Sequence, residues 1–243
     1  MNNSQNLFLV DVDNTLIDVE KIKKLIQDEL LKMSGGNLTP ETYLKIYREV
    51  GQEKGFVDIK EIAKRLSQKL NLSDSNQILD KFINISFKEF LLPGAIKLLT
   101  LLKENGKVVI YSQGDQFYQL LKINKSGIEE VVGFDSVKIS QNKIGDLENI
   151  IKSYQNEGFL NIIIIDDKVS ILERAKEIDP KVKGIWICFG NHKDILPKNN
   201  ENVFIKVNYP EDLYQIIKNE STHDLTVGVS SRDKKRDKKI NIL

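Results

Sequence analysis

The sequence predicts an α/β protein, with a Rossmann-like parallel sheet core that carries a small α-helical cap domain. Two observations lead there. Five short apolar runs, "NLFLVD" (6–11), "KVVIYS" (107–112), "FDSVKI" (134–139), "NIIIID" (161–166) and "KGIWICF" (183–189), recur at separations that leave room for helices between them. Continuous apolar strands belong to a parallel sheet covered on both faces. Residues 19–90, between the first and second runs, instead hold helical periodicity and no strand pattern.

Taken in order, the elements follow from local chemistry. After the first strand, "VEKIKKLIQDELLKMSGG", "TPETYLKIYREVG", "VDIKEIAKRLSQKL" and "SDSNQILDKFINISFKEF" form the helical insert, with Thr39 and Ser73 as helix starts and "SGGN" and "NLS" as breaks. The aromatic pairs Tyr43/Tyr47 and Phe87/Phe90 lie at helical spacing, as core residues do. "PGAIKLLTLLKENG" then opens on Pro93 and closes on Gly106 as a C-cap glycine, placing Ile96, Leu98, Leu99 and Leu102 near helical spacing. "VSILERAKEIDP" turns Ile171, Leu172 and Ala175 inward and stops at Pro180. "NVFIKV" (202–207) supplies a sixth strand and "YPEDLYQIIKN" a closing helix.

The expected division is therefore a core of residues 1–18 and 91–220, a cap of 19–90, and a polar, basic, mobile tail of 221–243. Of the 243 residues 40% are apolar and 29% charged, a composition able to bury a core and unlike that of a disordered chain. Net charge is +1, but "RDKKRDKK" (232–239) has six basic and two acidic residues, which leaves the rest of the chain at −3. Such a body is no nucleic-acid footprint, and a solvated tail is the plainer account of the charge run. Cys188 has no partner for an internal disulfide and sits in "GIWICFG" as a buried strand residue. His192 and His223 belong to a loop and the tail. "MNNSQN" has no basic leader followed by a long apolar stretch, and no apolar run reaches the roughly 20 residues a bilayer requires. The expectation is a cytoplasmic protein with no membrane and no specific nucleic-acid partner.

In an open parallel sheet, ligands bind at the carboxyl ends of the strands. Here those ends carry Asp11 and Asp13 in "FLVDVDNTLID", Ser112 in "VVIYSQGD", Lys143 in "SQNKIGD" on a polar loop, and Asp166 and Asp167 in "IIIIDD". Converging carboxylates repel one another unless they share a cation, and oxygen donors without His or Cys suit Mg²⁺. Such an ion with a lysine and a hydroxyl would receive a phosphoryl group, and an aspartate could serve as its nucleophile.

"DVDNT", "VVIYSQGD", the lysine of "SQNKIGDLENI" and "IIIIDDKVSILERAK" together resemble the four motifs of the haloacid dehalogenase superfamily, in order, over roughly residues 6–218. The fourth resembles the paired-aspartate form, since Ser170, Ile171 and Leu172 stand where the other form needs a later acid. The helical insert is similar to the cap found after the first motif in that superfamily. The resemblance implies that Asp11 is the nucleophile and a Mg²⁺ ligand. It implies that Asp13 is the general acid and base, its carbonyl also holding the metal. Ser112 binds phosphate beside the backbone N–H groups of Gln113 and Gly114. Lys143, with Lys138 as the competing assignment, neutralises nucleophile and phosphate. Asp167 ligates Mg²⁺, and Asp166 ligates it or positions Lys143. Thr15 fixes the turn. What is implied is a Mg²⁺-dependent phosphoric monoester hydrolase acting on a small phosphorylated metabolite. A phosphomutase, a phosphonate-cleaving enzyme and a non-catalytic phosphate-binding module remain as alternatives.

Overall fold

The computed structural model describes residues 6–194 and 205–223. From β1 (Asn6–Val10) the chain enters four helices, α1 (Val19–Met33), α2 (Pro40–Lys54), α3 (Ile59–Lys69) and α4 (Asn76–Ile83). It returns through α5 (Ala95–Asn105), β2 (Lys107–Gln113), α6 (Gln116–Lys125), α7 (Ile128–Val132), β3 (Val137–Ser140) and α8 (Lys143–Asn156). It ends in β4 (Asn161–Asp166), α9 (Val169–Ile178), β5 (Lys183–Ile187), β6 (Ile205–Val207) and α10 (Pro210–His223). All six strands are parallel, in the order β3-β2-β1-β4-β5-β6.

The unbroken apolar strands divide by their two-residue period. Phe8, Val10, Val108, Ile110, Ile163 and Ile165 face a cluster with Leu98, Leu99 and Leu102 of α5 and Leu213 and Ile217 of α10. Leu7, Leu9, Val109, Tyr111, Ile162 and Ile164 face the other side, against Leu147 and Ile151 of α8 and Ile171 and Leu172 of α9. Alternate residues of one strand thus meet helices on opposite faces, so the inner positions 7–10, 108–111 and 162–165 of the three central strands are apolar without alternation.

The helical insert shares the first of these clusters. Ile22, Ile26, Ile62, Phe82 and Phe87 continue it without a break, and Phe82 and Phe87 both meet the ring of Tyr118 edge-on. Two adjacent crossings tie the insert to the sheet: Asp18 N–H donates to Phe90 O at 2.8 Å, and Leu92 N–H to Leu16 O at 2.8 Å. Its helices begin where side chains satisfy free N–H groups. Asp18, Thr39 and Asp58 accept from the first turns of α1, α2 and α3.

Several expectations require correction. Ser73 starts nothing: α4 begins after Ser75, and Asp74 accepts from Asn76 N–H. Gly106 does cap α5, as expected, but with an extended φ of 167°; a Cβ there would lie 2.5 Å from the Asn6 carbonyl oxygen, so glycine is needed for the close approach of β1. The third strand spans 137–140 rather than 134–139, because 134–136 form a 3₁₀ turn that leaves Phe134 exposed. Helices α6 and α7 lie where no element was expected. Cys188 follows β5, is half-buried, and lies 3.2 Å from Lys193 O. Residues 221–223 continue α10 instead of opening a tail, while 224–243, like 202–204 of the sixth strand, lie outside the described residues. Among the described residues no helix is long and apolar enough to cross a membrane.

Candidate active site

Sheet order places β1 between β2 and β4, so the chain leaves the sheet in opposite directions on either side of β1 and opens a crevice at the strand ends. Asp11 N–H donates to Ile165 O at 2.9 Å, holding the end of β1 against β4. Beyond it Val12 O accepts from Leu16 and Ile17, and the loop turns through Asn14 at φ 58°, a left-handed conformation that Asn tolerates.

Lys143 is the first residue of α8 rather than a loop residue, and it is 2% exposed. Its ammonium lies 2.6 Å from Asp11 Oδ1 and 2.6 Å from Asp166 Oδ2. Tyr111 OH donates to Lys143 O at 2.9 Å, and Asn142 caps the helix through Gly145 N–H, so the backbone carrying the lysine is fixed. Lys138 sits exposed on β3. Asp166 uses its second oxygen to accept from Lys168 N–H at 2.8 Å, so both of its oxygens have partners. Trp186 Nε1 donates to Asp167 O at 3.0 Å.

The carboxylates of Asp11, Asp166 and Asp167 are buried and offer oxygens within 4.8 Å of one another. Burial pushes the Asp167 carboxyl up to about 9, with the charges of Asp166 and Asp11 adding to the rise. Burial likewise lifts Asp11 to about 6 although Lys143 pulls it back. For Lys143 burial works downward, but Asp11 and Asp166 outweigh it and hold the ammonium above its ordinary range. Asp167 Oδ1 and Ser112 Oγ are buried with no hydrogen-bond partner among the described residues. Buried polar atoms are normally paired, and Asn14 Oδ1, Thr15 Oγ1 and Gln119 Oε1 share this condition among the described residues. An all-oxygen donor set with an unpaired buried carboxylate oxygen fits Mg²⁺.

Asp13 stands apart, its side chain 34% exposed and bonded to α6: Lys122 Nζ meets Oδ1, and Gln119 Nε2 meets Oδ2 at 3.1 Å. Gly114 N–H is engaged by Ser140 O at 3.0 Å and is not free for a phosphate. Gln113 Nε2 reaches Gly55 O at 3.3 Å and Gln141 O at 3.2 Å, joining the strand end to the insert. Thr15 places its backbone in the turn, but its hydroxyl has no partner among the described residues. A cavity of 330 Å³ separates the strand ends from the insert; Asp13, Gln113, Asp167 and Lys122 line one side, Lys23, Tyr47 and Phe56 the other. Tyr47 packs against the core cluster and the Tyr43 ring, as expected, and also forms part of the cavity wall. Lys122 and Gln119 were missed by sequence reasoning. The available signal was a lysine four residues after Tyr118 in "QFYQLLKI", on the face a helix there would bury.

No family model matches the chain, and no curated protein matches it. Solved structures do. A haloacid dehalogenase-like hydrolase from Burkholderia xenovorans is 22% identical with a TM-score of 0.74, over 89% of this chain and 98% of that one. A HAD-hydrolase from Bacillus subtilis bound to magnesium is 20% identical with a TM-score of 0.57, over 88% and 99%. The L-2-haloacid dehalogenase from Xanthobacter autotrophicus is 13% identical with a TM-score of 0.56, over 88% and 98%. At these identities the likeness establishes the architecture, and the chain has the fold of the haloacid dehalogenase-like hydrolases.

Proposed function

We propose that this protein is a cytoplasmic, Mg²⁺-dependent phosphoric monoester hydrolase that acts on a small phosphorylated metabolite through an aspartyl-phosphate on Asp11. Residues 1–18 and 91–220 form the catalytic core and 19–90 its cap. The observation that carries the reading is a second carboxyl group, Asp13, that lines the cavity together with Asp167, whose carboxylate clusters with those of Asp11 and Asp166. An alkoxide leaving from phosphorus needs a proton and a departing halide does not, so Asp13 favours phosphate chemistry over dehalogenation.

Asp11 and Asp167, with the Asp13 carbonyl, would hold Mg²⁺, which neutralises charge on the phosphoryl oxygens. Asp11 attacks phosphorus while Lys143 offsets the charge of nucleophile and phosphate. Ser112 Oγ binds a phosphoryl oxygen. Asp13 gives its proton to the leaving oxygen, then takes one from the water that releases phosphate and restores Asp11. The insert covers the cavity and limits bulk water there. A panel of phosphate esters, assayed with Mg²⁺, with EDTA and with Asp11→Asn, tests this: phosphate release lost in both controls supports it, and no release from any ester by folded protein overturns it.

A further inference from the structure

The geometry points to Lys122 and Gln119 as positioning residues that clamp the Asp13 carboxyl for proton transfer. The inference rests on the phosphohydrolase reading above and assigns that reaction two groups outside its four motifs.

Lys122 is 2% exposed, lies in the last turn of α6, and sends its ammonium to Asp13 Oδ1. Among the described residues Asp13 is its carboxylate partner, and the Tyr118 ring lies 5.0 Å from Nζ. An ammonium withdrawn from water is costly, and a partner still one-third exposed returns little of that cost. Stability alone gives poor reason for the pair. Gln119 makes the same point. Its Nε2 donates to Asp13 Oδ2 at 3.1 Å and to Gln113 O at 2.9 Å, while its Oε1 is buried without a partner among the described residues. The amide is placed for its donor end. Gly114 makes that placement possible, since a Cβ there would lie 2.6 Å from Gln119 Nε2.

The clamp therefore grips both oxygens of Asp13 from one helix and fixes the plane of the carboxyl. A carboxyl group has about four lone-pair positions, so two remain to carry a proton or to accept one. In the first half-reaction the Asp11 oxygen bonds to phosphorus, the P–O ester bond breaks with its electrons on the leaving oxygen, and the Asp13 proton completes the alcohol. In the second, Asp13 takes a proton from water as the water oxygen attacks phosphorus, and phosphate leaves with Asp11 regenerated. Misorienting Asp13 harms both transfers and leaves the attack of Asp11 intact.

The test compares 4-nitrophenyl, phenyl and benzyl phosphate, in which the leaving oxygen depends increasingly on protonation, using wild type, Lys122→Met and Gln119→Leu. The expected result is a loss in kcat/KM of about 100-fold or more on benzyl phosphate for Lys122→Met, but less than about tenfold on 4-nitrophenyl phosphate, in line with the usual contribution of general acid catalysis. Gln119→Leu shifts in the same direction and serves alone if Lys122→Met does not fold. A 4-nitrophenolate burst equal to the enzyme, followed by slow turnover, is expected of the variants because water activation is also impaired. A uniform loss across the three esters, or none, overturns the clamp while leaving the hydrolase intact. Failure of wild type on all three esters overturns the hydrolase reading, and the clamp with it.

Discussion

The ammonium of Lys143 lies 2.6 Å from Asp11, a residue 132 positions earlier in the chain. The contact exists because β1 and the start of α8 end at the same edge of a parallel sheet, and it puts a buried cation among three carboxylates.

Replacing Lys143 by Met should abolish turnover and also destabilise the metal-free protein, because Asp11 and Asp166 lose their shared cation. Removing one partner of a buried ion pair typically costs about 3–5 kcal/mol. Urea unfolding with and without Mg²⁺ measures it, and the deficit should shrink when the ion is present.

Asp167→Asn should do the reverse. It removes a carboxyl whose ionised form is opposed by burial and by Asp166 and Asp11, so the metal-free midpoint in urea should rise while Mg²⁺ binding, read by calorimetry, is lost.

Asp167 lifted to about 9 and Asp11 to about 6 give the pH dependence its sign. In metal-free protein the folded state keeps protons that the unfolded chain has released, so stability falls as pH rises from about 4 towards 9. The slope approaches about 1.4 kcal/mol per pH unit for each proton so held. Mg²⁺ must displace the Asp167 proton at neutral pH, and its affinity should rise about tenfold per unit between pH 7 and 9. Calorimetry in buffers of different ionisation enthalpy would report the released proton.

Ser112→Ala should raise KM for phosphate esters and cost no stability, because the hydroxyl it removes is buried and unpaired among the described residues. Relief of that unmade bond is worth about 1–3 kcal/mol at most. A marked fall in the thermal midpoint would mean that Ser112 has a structural partner instead.

Gly106→Ala should destabilise the fold by about 1–3 kcal/mol, as overpacking does, since its Cβ would press on the Asn6 carbonyl at 2.5 Å. Chemical denaturation measures this, and turnover per folded molecule should not change.

Much of the fold was legible because its signals are local. Unbroken apolar runs such as "NIIIID" mark strands covered twice, and Thr39-Pro40 marks a helix start wherever the chain goes next. The short α7 and the boundary of β3 were not legible, because a five-residue helix and a four-residue strand hold too little periodicity. At the site, acids at strand ends were visible as a set, but the choice between Lys143 and Lys138 was not. Lys138 lies within β3 and Lys143 at the start of α8 just after it, and only packing buries one and exposes the other.

By itself the sequence determined the parallel sheet, the helical insert after the first strand, and the acids, hydroxyl and lysine available to the crevice. All of these are written in residue type and spacing along one element. Tertiary structure decided what those groups do to one another: that Asp166 holds Lys143 while Asp167 keeps an unpaired oxygen, that Gly114 spends its N–H on Ser140, and that Lys122 and Gln119 hold Asp13. Burial and hydrogen-bond partners depend on distances between segments far apart in sequence, and those distances exist only once the sheet has formed and α6 and α8 have packed against it.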